Sequence, residues 1–211
     1  MKSAGIPLSY YDPNGGAGLL FKEHGEEWTD IAGIGLGIGA LSGYLTSSQR
    51  MDFFEIDPLV IKIAETPKYF SFVTDARQRG AEVSLIEGDA RITLEKSLKK
   101  YDVIFVDAFQ SSAIPTHLLT QEAFEIYRSK LKKNGMIVFH ISNHFMDFES
   151  LIATQAESIN FSGLHYKYQG NETGGDPSIW AAIFEDTKSG TDSKFTNWES
   201  LSKNKVVSKW T

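Results

Sequence analysis

The sequence predicts an α/β protein: a mostly parallel, doubly wound sheet of seven strands whose last two strands form an antiparallel pair. Three observations carry that expectation. From Asp30 onward, short and nearly continuous apolar runs alternate with stretches of helical character, the pattern of strands buried on both faces beneath helices. The first run leads directly into Gly35-Leu36-Gly37-Ile38-Gly39, a strand-to-helix turn in which backbone can approach a ligand closely. The last two runs, Ser162 to Tyr168 and Ser178 to Phe184, are joined by the Gly/Asn/Asp-rich segment 169–177, a composition suited to linking antiparallel strands.

Taken in order, residues 1–29 precede the alternating pattern. Pro7-Leu8-Ser9-Tyr10-Tyr11 and the run Ala17 to Lys22 flank Asp12-Pro13-Asn14-Gly15-Gly16. Two short apolar runs around such a turn predict a short N-terminal β-hairpin that serves as a flap. Ile31 to Gly35 is the first strand, followed by a helix from Gly39 to Ser47. Met51 to Ile56 is the second strand. Asp57-Pro58 then opens a helix to Glu65, since Asp is a good N-cap and Pro a good first helical residue. The aromatic-rich Tyr69 to Arg79 is a third helix, with Tyr69, Phe70 and Phe72 spaced as core residues. Strands follow at Glu82 to Ile86, Tyr101 to Val106 and Gly135 to Ile141. Helices lie between them at Ala90 to Lys99 and Thr120 to Lys132, the latter closed by Asn134-Gly135. A helix from Phe148 to Ser158 leads into the final pair. The α/β domain so built covers 30–186, and the polar segment 187–211 is expected to be a loosely packed surface tail. The lysines at 96–100 and 130–133 fall at helix C-terminal ends, where cations favour the dipole and stay solvated.

Composition narrows the function. With 41% apolar residues, 14 Phe and 8 Tyr in 211 residues, the chain can bury a core and is not a disordered segment. The lack of cysteine excludes disulfides, thiolate metal sites and cysteine nucleophiles. A net charge of −6 argues against nucleic acid as a partner, because duplex-binding proteins carry a basic footprint. Ile31 to Gln49 is uncharged, but five glycines and a Ser-rich end leave fewer apolar residues than the roughly 20 a membrane span needs. No basic-then-apolar start marks a signal peptide. The chain is therefore expected to be soluble and cytoplasmic, with no membrane partner. His140 and His144 share a zinc-binding spacing, yet His140 ends a strand and Ile141 stands where a zinc helix carries Glu. A hydrogen-bonded core histidine and no metal site follow. His117 reads as a helix-start residue. Neither a G-x-S-x-G elbow nor a P-loop is present.

In an open α/β sheet, ligands bind outside the carboxyl ends of the strands at the switch point. After the first strand lies the glycine turn, and after the second Glu55-Ile56-Asp57. Glu87-Gly88-Asp89-Ala90 follows the third, and Asp107-Ala108-Phe109-Gln110 the fourth. Each piece has a bland explanation as packing or as a helix cap. Four consecutive strand ends of this kind are harder to dismiss. A carboxylate after the second strand suits a ribose diol, and one after the third can accept from an adenine amine. Gly35, Gly37, Ala40 and Glu55 also satisfy a dinucleotide fingerprint, which makes a nicotinamide oxidoreductase a rival. The acids after the third and fourth strands favour a shorter, cationic ligand such as S-adenosylmethionine.

These motifs resemble those of the spermidine synthases, the polyamine aminopropyltransferases within the Rossmann-like methyltransferase fold. The resemblance lies nearest to the C-terminal domain of transporter-fused spermidine synthase-like proteins. It rests on Gly35-Leu36-Gly37-Ile38-Gly39, Phe54-Glu55-Ile56-Asp57-Pro58 and Glu87-Gly88-Asp89-Ala90-Arg91. It continues through Val106-Asp107-Ala108-Phe109-Gln110-Ser111-Ser112-Ala113-Ile114-Pro115-Thr116-His117-Leu118-Leu119-Thr120, His140-Ile141-Ser142-Asn143 and Pro7-Leu8-Ser9-Tyr10-Tyr11, and covers roughly residues 7–184. The resemblance implies S-adenosylmethionine or its decarboxylated form as co-substrate. Gly35, Leu36, Gly37 and Gly39 would hold the nucleoside-sulfonium, Glu55 with Ile56 and Asp57 the ribose, and Gly88, Asp89 and Ala90 the adenine. Asp107, next to Ala108, would accept a proton from the attacking amine, while Tyr10, Tyr11 and Gln110 would face the acceptor. Relatives of this kind often pair as homodimers.

Two departures qualify the substrate. Spermidine synthases usually carry an acid where this chain has Ile38, and another where it has Gln110. Both acids help to hold cationic amines. A methyltransferase therefore stands as an alternative. The end of the chain at Lys209-Trp210-Thr211 also keeps open a non-catalytic nucleoside-binding domain trimmed from a larger membrane protein.

Overall fold

A computed structural model describes residues 5–109, 114–143, 147–185 and 195–202. Its N-terminal segment corrects the hairpin expectation. Ser9–Tyr11 is a 3-10 turn and Gly16–His24 a helix, α1. Ala17, Leu20, Phe21 and His24 recur at helical spacing and are all buried. Gly16, read as part of a turn, and Gly18 within the helix permit close contact. A Cβ on Gly16 would lie 2.6 Å from Trp180 Cβ, and one on Gly18 would lie 2.5 Å from the Asp12 carbonyl oxygen.

The expected strands follow. They are β1 (Asp30–Ile34), β2 (Arg50–Glu55), β3 (Glu82–Glu87), β4 (Tyr101–Val106), β5 (Leu131–His140), β6 (Phe161–Tyr168) and β7 (Ser178–Glu185). An eighth, two-residue strand, β8 (Glu199–Ser200), makes the sheet one strand wider than the sequence predicts. The order is β3-β2-β1-β4-β5-β7-β6-β8. Pairings from β3 through β5 are parallel, and those joining β5, β7, β6 and β8 are antiparallel. The order in which strands are added reverses between β1 and β4, which creates a crevice at their carboxyl ends.

Helices cover both faces. Ala90 and Leu94 of α4 (Ala90–Lys96), Ala123, Phe124 and Tyr127 of α5 (Gln121–Ser129), and Phe148, Ile152 and Ala156 of α6 (Phe148–Ser158) share one buried layer. The other layer gathers α1 with Ala64 of α2 (Pro58–Ala64) and Val73 and Ala76 of α3 (Phe72–Gln78). Smaller differences have local causes. The helix after β1 is a 3-10 segment, Ala40–Tyr44. The third helix begins only at Phe72, and Tyr69 is 62% exposed rather than core. Asn134, at φ 62°, bends β5 instead of closing a helix, beside the register shift at Tyr101/Val103.

The lysines do more than sit in solvent. Lys132 bridges Asp30 at 2.6 Å and Asp102 at 2.8 Å, and Lys99 meets Asp52 at 2.8 Å. Phe195 and Trp198 are buried, and Phe195 stacks on Phe184. The tail is therefore packed over 195–202, which corrects the loosely packed reading there. The other tail residues, Lys209-Trp210-Thr211 among them, lie outside the described residues. No described helix is long and apolar enough to cross a membrane.

Candidate active site

The backbone ladder runs one residue past each strand. Gly35 N–H donates to the Phe54 carbonyl, Asp107 N–H to that of Ile34 and Gly88 N–H to that of Glu55, each at 2.9 Å. This levels the ends of β1 to β4, so the residues after them face a shared space. Gly35 adopts φ +90°, and a Cβ there would stand 2.5 Å from the Asp107 carbonyl oxygen and 2.9 Å from Ala108 Cα. Only glycine allows the β1 and β4 ends to approach so closely.

A cavity of ≈ 1260 Å³ opens above these ends. Gly35, Gly37, Glu55, Ile56, Asp57, Asp89, Ala90, Asp107 and Ala108 line it, together with Tyr10 and Tyr11. Leu36, Gly39 and Gly88 do not line it. Leu36 is buried in the core, and the other two shape the turns behind the wall. Gln110 lies outside the described residues, as does His144.

The carboxylates have double duties. Glu55 accepts from Leu36 N–H through Oε2 and from Asp57 N–H through Oε1, both at 3.0 Å. That fixes the acid against the glycine turn, and each oxygen keeps a lone pair for the cavity. Asp57 caps α2 through Leu59 N–H at 2.8 Å. Asp89 caps α4 through Ile92 N–H at 3.1 Å and stands 3.4 Å from His117 Nε2. The cap and the cavity readings of these acids are thus compatible. Asp107 accepts the Tyr11 hydroxyl on Oδ2, and its Oδ1 lies 2.8 Å from His140 Nδ1. Burial, then the neighbouring Asp107 charge, raises the Tyr11 phenol well above its ordinary value, so Tyr11 remains a donor.

His140 is the hydrogen-bonded core histidine that the sequence predicts, but its link to Asp107 is not legible there. Nor are the anchors of the strap that carries Tyr10 and Tyr11 at the cavity, a segment the sequence marks as a flap but gives the wrong local structure. Ser9 N–H donates to the Gly174 carbonyl at 2.7 Å and Ser9 Oγ to Asp176 at 2.6 Å. The Tyr44 hydroxyl donates to the Tyr11 carbonyl. Asp12, buried, receives Asn14 N–H at 2.9 Å, the Tyr168 hydroxyl at 3.1 Å and Asn171 Nδ2 at 3.0 Å. Burial opposes ionisation of Asp12, yet these donors together outweigh it and hold its carboxyl below the usual range.

A depressed folded value stabilises the fold above the unfolded carboxylate value of about 3.9 and is lost as pH falls through the folded value. Asp12→Asn is therefore expected to cost about 1–3 kcal/mol at neutral pH. In denaturant titrations, the gap between wild type and variant should shrink as pH drops below about 4.

A parallel-to-antiparallel sheet with a glycine turn at its switch point defines the class: the Rossmann-like α/β fold shared by methyltransferases and spermidine synthases. Residues 32–166, well over half of the chain, match the spermine/spermidine synthase domain. The chain belongs to the spermine/spermidine synthase family. It is 38% identical over 128 residues to a polyamine aminopropyltransferase of Vibrio vulnificus, a match covering 58% of this chain but 40% of that protein. The chain thus spans less than half the length of that relative. Its fold is similar to a spermidine synthase in complex with the transition-state analogue AdoDATO (TM-score 0.59, 20% identity, 82% of this chain and 58% of that one). It is also similar to an O-methyltransferase from Bacillus cereus in complex with SAH (TM-score 0.56, 19% identity, 81% of this chain and 80% of that one).

Proposed function

We propose that the chain binds decarboxylated S-adenosylmethionine and transfers its aminopropyl group to an amine. The observation that carries this reading is the convergence of Glu55, Asp89 and Asp107 on one cavity. Cations there are few. Among the described lining residues the only Lys or Arg is Lys167, which is engaged by Glu149 at 2.8 Å. A methionine carboxylate would find no uncommitted ammonium or guanidinium on those walls. A ligand that is cationic throughout, lacking that carboxylate, suits them better.

In this reading, Glu55 binds the ribose hydroxyls with its remaining lone pairs. Asp89, with Ala90, faces the adenine, and the Gly35–Gly39 turn lets the nucleoside lie against the backbone. Asp107 holds the acceptor amine and takes its proton as the nitrogen attacks the carbon next to the sulfonium. The new N–C bond forms, the C–S bond breaks with its electron pair going to sulfur, and methylthioadenosine leaves. Orientation and proton removal are the contributions such a site can make. Asp176, which also lines the cavity and accepts from Ser9 Oγ, offers a second carboxylate for the cationic end of the acceptor.

Glu55→Gln places an amide among the two N–H groups that the acid now satisfies. It is expected to weaken methylthioadenosine binding by about 10- to 100-fold, the scale of a lost charged hydrogen bond; equilibrium dialysis reads this directly. The second reading, methyl transfer, is favoured by Ile38 in the glycine turn and by the methyltransferase-like fold. Isotopic labelling separates the two. Aminopropyl transfer yields methylthioadenosine and a longer amine, whereas methyl transfer yields adenosylhomocysteine. Formation of adenosylhomocysteine alone would replace the aminopropyl reading.

A further inference from the structure

Behind Asp107 lies a chain of hydrogen bonds that the reaction described above does not use. Ile179 N–H donates to Ser142 Oγ at 2.8 Å. Ser142 therefore turns its own hydrogen elsewhere, and His140 Nε2 lies 2.8 Å away. In a singly protonated ring, Nε2 accepts from Ser142 when the carboxylate of Asp107, which can only accept, holds the proton on Nδ1. That nitrogen faces Asp107 Oδ1 at 2.8 Å. The other carboxylate oxygen receives the Tyr11 hydroxyl. Each oxygen of Asp107 thus has one fixed donor and one lone pair left for the cavity.

The ring itself cannot swing. His140 is 3% exposed and stacks on Trp180 with centroids 4.5 Å apart and planes 12° from parallel. Phe109 meets it edge-on at 5.0 Å and Tyr10 at 5.2 Å. The titratable groups facing it are Asp107 and Tyr10.

We propose that His140 is a positioning residue for Asp107, held in its Nδ1–H tautomer between the Asp107 carboxylate on one side and Ser142, whose hydroxyl is oriented by the Ile179 amide, on the other. The lock fixes the plane of the carboxylate, so that one lone pair points to where an acceptor amine presents its proton. This rests on the aminopropyl-transfer reading for its consequence, though not for its geometry.

The test has two arms. In the first, ¹⁵N-labelled histidine is followed by NMR, with His140→Gln assigning the resonance. The wild-type protein is expected to show the Nδ1–H tautomer, and Ser142→Ala to shift it toward Nε2–H. A wild-type Nε2–H tautomer would overturn the proposal. In the second, steady-state rates are measured with decarboxylated S-adenosylmethionine and a diamine. His140→Leu is expected to lower kcat by about 10²-fold, with methylthioadenosine affinity within about twofold of wild type. His140→Gln keeps one donor and one acceptor, and should recover activity to within about tenfold of wild type. Equal losses in the Leu and Gln variants, or a parallel loss of nucleoside affinity, would reduce His140 to a packing residue and overturn the proposal. The tautomer arm reads His140 even if no amine is turned over. Failure of the functional reading and failure of this proposal therefore appear in different measurements.

Discussion

Asp107→Asn is expected to lower kcat/KM for amine acceptors by about 10²- to 10⁴-fold, the usual contribution of a positioned general base. The substitution preserves shape but removes both the charge and the proton acceptor. It also sets an amide NH₂ against one of two donors, the Tyr11 hydroxyl or His140 Nδ1–H, which now converge on the carboxylate. Steady-state kinetics with a diamine would measure the effect. Methylthioadenosine binding should change little, since in the proposed function Glu55 and the glycine turn, at the ends of β2 and β1, would hold that ligand. Full turnover in the variant would remove Asp107 from the chemistry.

Gly35→Ala is expected to be strongly destabilising. Its φ of +90° is one that residues with a Cβ avoid, and the added carbon would meet the Asp107 carbonyl oxygen at 2.5 Å. That contact, like the one with Ala108 Cα at 2.9 Å, cannot yield cheaply, because both belong to backbone just past the end of the neighbouring central strand. A loss of about 2–4 kcal/mol is expected, or about 5–15 °C in Tm for a chain of this size. Gly37→Ala is the control. Its φ is +52°, but no atom lies within 4 Å of the added carbon. It should cost only about 1 kcal/mol. Thermal melts of the two variants side by side would show whether close approach at the switch point, beyond backbone strain, separates them.

The strands were readable because burial on both faces demands unbroken apolar runs, and β1, β2 and β4 have few alternatives. Carboxylates at strand ends were readable for a related reason: in a parallel sheet, position along the chain fixes position around the crevice. The conformation and anchoring of the N-terminal flap were not. Asp12-Pro13-Asn14-Gly15 is turn chemistry that serves a hairpin or a helix entry equally well. What decides between them is the seat of Gly16 against Trp180. The strap's anchors are also remote in sequence, with Asp12 and Asn171 separated by 159 positions and Ser9 and Asp176 by 167. His140 was readable as buried and hydrogen-bonded, but its partner, 33 positions away on the adjacent strand, emerges only from the parallel register of β4 and β5. Local pattern located the walls of the site; long-range pairing decided what closes and stiffens it.

Isothermal titration of the chain with decarboxylated S-adenosylmethionine, S-adenosylmethionine and methylthioadenosine tests the central claim most directly. The account predicts saturable binding of methylthioadenosine and of the decarboxylated sulfonium, with the carboxylate-bearing S-adenosylmethionine weaker. Absence of a binding heat for all three, at protein concentrations where the fold is intact, would contradict it.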